Sequence, residues 1–143
     1  LTRSSAASDV YKRQIISQLD LLNSISVLVG AKYESIDGND FSQLLINNKG
    51  KGRDELIIEA STRTAYRKGD WVMIPPYKGP AVSKNVNIEL GNSLDFMLYN
   101  LKEDPSQKNN LSITNKDKLK EMISSFIEIR GKNFSNIEDL ILE

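Results

Sequence analysis

Leu98-Tyr99-Asn100-Leu101-Lys102-Glu103-Asp104-Pro105-Ser106-Gln107-Lys108-Asn109-Asn110-Leu111 is the stretch around which the chain is organised. Met97, Tyr99 and Leu101 alternate with Leu98 and Asn100, the period of a strand with two distinct faces. Asp104-Pro105 then ends the ladder, because proline has no N–H to donate and aspartate favours a turn. Ser106 to Asn110 reads as a polar loop, and Leu111 returns the chain to apolar surface. Residues N-terminal to this stretch read as the strands it joins, and residues C-terminal to it as the helix it launches.

That helix has the clearest periodicity. Leu119, Met122, Ile123, Phe126 and Ile127 recur at i, i+3, i+4, i+7 and i+8, an apolar stripe expected to lie across one face of a sheet. Thr114 with Asp117 fits a capping box loosely, Asn115 is the alternative cap, and Gly131 ends the helix. On the other side lie Leu56–Ala60, Thr64–Arg67 and Trp71–Ile74. The last two flank Lys68-Gly69-Asp70, a hairpin signal in which glycine accepts a positive φ. Pro75-Pro76 stops the strand. Tyr77 to Asn92 reads as an irregular exposed loop, and residues 94–101 supply the last strand. Four strands with short links imply an antiparallel sheet, hence an α+β fold.

Further upstream, Asp20 or Ser17 can cap a helix ending at Gly30. Its residues Leu21, Leu22, Ile25, Leu28 and Val29 predict a buried stripe. Ile36 to Asp40 is a turn, Phe41 to Ile46 a turn or two of helix, and Asn47 to Arg53 a loop. Residues 1–14 show no period and resemble a translated sequencing adapter, so they are set aside from the fold. Asn133 to Glu143 reads as one more turn of helix around Ile137, Leu140 and Ile141.

A chain of 143 residues suits one modest domain. Its 19 basic and 19 acidic residues balance, which gives no reason to expect a nucleic-acid or anionic-membrane partner. Three basic residues and one acidic residue fall in 1–14, so the remainder is mildly acidic. With neither cysteine nor histidine, the chain lacks disulfides, thiolate metal sites and the commonest general base. Any chemistry would fall to carboxylates, Lys, Tyr or Ser. Glu59, in an apolar strand, with Ser61 and Arg63 in the following bend, could bind a ligand, although such residues at a strand end are more often a solvated edge. Asp37, Asn39 and Asp40 alternate like part of a calcium loop but lack the distal glutamate, and read as turn chemistry. Lys49-Gly50-Lys51-Gly52 is not a phosphate loop. Nothing assembles a nucleophile, a base and an anion-stabilising group.

Five stretches in order resemble the C-terminal part of type I sulfatases, the arylsulfatase family of the alkaline phosphatase-like superfamily. They are Ser17 to Leu22 with the helix to Gly30, Asp37-Gly38 with Leu44-Leu45, Arg53 to Glu59, Ala65 to Trp71, and Leu98 to Leu111. Val72 departs from the pattern, which usually has Lys there. The resemblance covers about Ile15 to Arg130. It implies a small antiparallel sheet of about four strands packed by a C-terminal amphipathic helix and preceded by a linker helix. By that reading 15–52 belongs to the end of a large domain, 53–131 is the C-terminal subdomain, and 132–143 is a tail.

The resemblance further implies hydrolysis of sulfate esters by a parent protein. A formylglycine made from a Cys/Ser-x-Pro-x-Arg motif would be the nucleophile and a calcium ion would polarise the sulfate. None of those residues is in this chain, so the chain itself is expected to be inactive, with no cofactor of its own. Its implied partners are the missing N-terminal sulfatase domain and, for the parent, a sulfated small molecule or glycan. The parent is expected in the periplasm or outside the cell. Glu59, Ser61 and Arg63 would then help to wall the substrate cleft. Two alternatives stand beside this: a small stand-alone binding module, and a fragment of a related phosphodiesterase or phosphonate hydrolase.

Overall fold

A computed structural model describes residues 14–33, 36–60, 63–80 and 82–131. The residues expected to form an adapter-like tail (all but Gln14) and the expected C-terminal turn of helix lie outside that set. Among the described residues the elements are α1 (Gln18–Leu28), α2 (Ser42–Asn47), β1 (Glu55–Ala60), β2 (Arg63–Lys68), β3 (Trp71–Ile74), β4 (Val82–Ser83), β5 (Ile88–Glu89), β6 (Met97–Asn100) and α3 (Lys116–Arg130). They form two compact units, divided between Asp54 and Glu55.

In the first unit Ser17, not Asp20, is the N-cap of α1. The Ser17 hydroxyl accepts from Leu19 N, and Asp20 Oδ2 accepts from Ser17 N at 2.7 Å, closing a capping box. At the other end Gly30 takes φ +70°. Gly30 N donates to Val27 O and Ala31 N to Ser26 O, a Schellman stop. The stripe expected to be buried is exposed: Ile25 is 52% accessible and Val29 71%, with Leu21, Leu22 and Leu28 also exposed. The face turned inward carries Asp20 and Ser24 instead. The inward side is held by hydrogen bonds, because the 37–53 segment offers it the Asn39 and Phe41 N–H groups and Arg53.

The second unit is built, as expected, on a four-stranded antiparallel sheet; its strand order is β1-β2-β3-β6. Gly69 holds φ +57° in the β2–β3 turn. The registers place Ile57, Tyr66, Met73 and Leu98 in one row across the sheet. α3 lays Met122 and Phe126 on that row, all of them fully or nearly fully covered apart from Ile57. The Tyr66 and Phe126 rings meet edge to face, 5.8 Å between centroids. Leu119 and Ile123 pack at the margin of this core with Trp71.

Two expectations fail within this unit. Residues 77–92 are not wholly irregular, because β4 and β5 pair as a small hairpin, with Val82 opposite Glu89 and Ser83 opposite Ile88. Strands of two residues are too short to show a period. The Thr114–Asp117 box does not form either: Asn115 is the N-cap, and Thr114 Oγ1 donates back to Leu111 O.

Candidate functional site

The 98–111 stretch proves to be a folding device. Leu111 N donates to Leu98 O at 2.8 Å, which extends the edge of the sheet by one rung. The next rung is completed by a side chain, since Asn110 Oδ1 accepts from Leu98 N and from Ser112 N, both at 3.0 Å. Asp104 Oδ2 accepts from Asn109 N at 2.7 Å, closing the loop around Pro105. Leu111 then packs against the core. Leu98, Asp104, Asn110 and Leu111 thus each have a structural role in the stretch.

A second polar node lies in the first unit. Asp20 is 1% exposed. Its carboxylate accepts from Ser17 N, from Asn39 N at 2.8 Å, and from Arg53 Nε and Nη2. Arg53 Nη2 also donates to Asp37 O at 2.7 Å. Burial by itself pushes the Asp20 carboxyl up, but the hydrogen bonds from Arg53, Asn39 and Ser17 and the Arg53 charge together hold it below its usual value. The same pairing raises Arg53. With these donors all spent inside the unit, the node stitches α1 to the 37–53 segment. Asp37 and Asn39 serve as turn backbone within it.

The candidates at the β1–β2 bend separate. Because Glu59 pairs with Thr64 in register, it lies on the α3 face, where its carboxylate meets Arg130 Nη2 at 2.8 Å. Arg63 is one residue off that row and so on the opposite face. Ser61 lies outside the described residues. The structure therefore ties Glu59 to α3 and does not bring it together with Arg63.

Arg63 has partners of its own. Its guanidinium lies 5.2 Å from the centre of the Tyr77 ring, and its Nε donates to Asn92 Oδ1 at 2.7 Å. Asn92 is held at its other end, Nδ2 donating to Pro80 O. Tyr77 N donates to Ser93 O, pinning the base of the loop. A Cβ on Gly79 would come within 2.9 Å of Asn92 Nδ2 and 3.3 Å of the Tyr77 ring, so glycine is what lets these groups close up. No motif or period in the chain pointed to this cluster. Asn92 is 29 residues from Arg63, in a stretch without period.

On the same face an open cavity of about 190 Å³ is lined by Ile74, Gly91, Met97, Tyr99, Ser106 and Gln107, with no charged side chain. Among the described residues no group of three His, Cys, Asp or Glu could hold a metal ion, and no helix is long and apolar enough to cross a membrane.

No family model matches the chain. Over 115 residues it is 29% identical to an N-acetylgalactosamine-6-O-sulfatase of Bacteroides thetaiotaomicron; the match takes in 78% of this chain and 22% of that protein. A solved 6S-sulf chain from a Bacteroides thetaiotaomicron locus for the metabolism of multiple glycosaminoglycans superposes with a TM-score of 0.71 at 24% identity. The superposition covers 83% of this chain and 26% of that one. Ps i-CgsB, solved in complex with k-i-k-neocarrahexaose, superposes with a TM-score of 0.55 at 22% identity, covering 81% of this chain and 24% of the other. The chain thus spans about a quarter or less of the proteins it matches. In sequence it is similar to a segment of a sulfatase, and in fold, with a four-stranded antiparallel sheet backed by a helix, it is similar to part of these solved chains.

Proposed function

We propose that this chain is the C-terminal part of a sulfatase that hydrolyses sulfate esters on a glycan, and that its own work is to pack against the catalytic part and to help wall the substrate cleft. The observation that carries this reading is the match, over 78% of this chain, to about a fifth of a sulfatase. The exposed apolar side of α1 supports it. Leu21, Leu22, Ile25, Leu28 and Val29 form a continuous stripe, and a stripe of that kind suits burial against a further protein surface. Among the described residues no group of three His, Cys, Asp or Glu could hold a metal ion, and the chain has no Cys/Ser-x-Pro-x-Arg motif from which formylglycine could be made. Both groups are therefore assigned to the N-terminal sulfatase domain, outside this chain. Export of the parent to the periplasm or beyond is part of the same proposal.

The test is turnover. The purified chain, supplied with calcium and 4-nitrophenyl sulfate, is expected to release no 4-nitrophenol above a protein-free blank. Release above the blank, lost on heat denaturation, would show a catalytic centre within the chain and overturn the proposal.

A further inference from the structure

We infer that Arg63, held by Asn92 and Tyr77, is a receptor for an oxyanion carried on a sugar: an ester sulfate or a uronate carboxylate of the glycan. This deepens the cleft-wall reading and rests on it. Among the described arginines Arg53 and Arg130 are each matched by a carboxylate, Asp20 and Glu59, whereas Arg63 and Arg67 are not. Arg67 gives its Nε to the Gly69 carbonyl, while Arg63 is held by two side chains, the neutral Asn92 amide and the Tyr77 ring. An arginine kept only to anchor a loop needs no more than the bond to Asn92. A guanidinium has five N–H donors, however, and Nε uses one. The remaining donors sit on Nη1 and Nη2, the fork that binds a planar or tetrahedral oxyanion with two parallel hydrogen bonds.

Three features fix that fork in advance. Asn92 is oriented from both ends, with Oδ1 on Arg63 Nε and Nδ2 on the Pro80 carbonyl. The Tyr77 ring, its centre 5.2 Å from the guanidinium carbon, holds the cation by its π face. Gly79 leaves the space in which Tyr77 and Asn92 approach each other. An arginine immobilised before binding loses less entropy on binding than a free surface arginine. By contrast, the cavity beside Met97 and Tyr99 carries no charge and has no means of selecting an anion.

The experiment is a nuclear magnetic resonance titration of the full 143-residue chain. Its signals are the Arg63 Nε–H and the Asn92 side-chain amide, and its probes are N-acetylgalactosamine 6-sulfate, glucuronate and neutral N-acetylgalactosamine. A saturable shift of both signals with either anionic sugar, at a concentration at least tenfold below any response to the neutral sugar, is expected. Tighter binding of the sulfate assigns the site to an ester sulfate, and tighter binding of glucuronate assigns it to a uronic acid. Arg63→Gln is expected to abolish the response at Asn92. Arg63→Lys, which keeps the charge but loses the fork, is expected to weaken it at least fivefold. In both variants the Phe126 and Met122 signals should stay in place, reporting an intact core. Equal response to anionic and neutral sugars, or an unchanged response in the folded Arg63→Lys variant, would overturn the inference. Because the readout needs no turnover, this result is separate from the fate of the sulfatase reading.

Discussion

Replacing Asp20 with alanine should unfasten the first unit. In the intact chain the Asp20 carboxylate is 1% exposed and receives two backbone N–H groups and a two-pronged contact from Arg53. Breaking a buried charge pair by removing one partner costs about 3–5 kcal/mol. The Arg53 side chain is 20% exposed and can regain some water, which places the cost near the lower end of that range. Ser17 N and Asn39 N lose their acceptor as well. A loss of about 3 kcal/mol corresponds to roughly a hundredfold change in an opening equilibrium. Amide hydrogen exchange at Phe41 reads that opening directly, because Phe41 N is held by Ser24 Oγ, which in turn donates to the Asp20 backbone carbonyl that the substitution keeps. Arg53→Ala should produce a smaller loss, because two backbone donors still satisfy the carboxylate. Acid should mimic the substitution. The folded carboxyl is held below its ordinary value, so its contribution is complete above the usual carboxylate range, about pH 4, and is lost as the pH falls through the depressed value. Exchange at Phe41 in Asp20→Ala that rises less than tenfold would refute the assignment of this node as the clasp of the unit.

Asn110→Ala strips the acceptor from Leu98 N and Ser112 N and should lower the stability of the second unit by about 1–3 kcal/mol, measured by urea denaturation followed through Trp71 fluorescence; an unchanged midpoint would show that water replaces the side chain. Phe126→Ala removes a fully buried ring from the contact with Tyr66 and should cost about 3–5 kcal/mol in the same assay, whereas a loss below about 1 kcal/mol would mean that α3 is not the cover of the core.

The parts legible in the sequence are those in which one local period fixes the outcome. The α3 stripe could only be satisfied by a sheet, and the short links from Leu56 to Ile74 left no room for parallel crossovers. Glycine at 69, 30 and 131 marked a turn and two helix ends, and each adopts a positive φ. The failures share a different cause. α1 has an apolar side and a polar side, and a period cannot say which one a given unit covers. Asp20 and Arg53 are 33 residues apart, and Arg63 and Asn92 29 apart, so both pairs are tertiary choices invisible to any local window. The bend at Ser61 was read as a single grouping, yet the alternation of a strand sends Glu59 and Arg63 to opposite faces. For the same reason the 98–111 stretch could be read as a resemblance while its structural part stayed hidden: Asn110 and Leu111 finish a sheet edge, and Asp104 closes the loop that brings them there.

If the chemistry belongs to a further part of the same protein, the gene must encode that part. Sequencing the source DNA upstream of the codon for Ile15 tests this most directly. The expected result is a reading frame that runs on into a Cys/Ser-x-Pro-x-Arg motif and the carboxylates of a calcium site, with residues 1–14 foreign to it. A stop codon followed by a genuine start just before Ile15 would contradict the assignment and make the chain a protein in its own right.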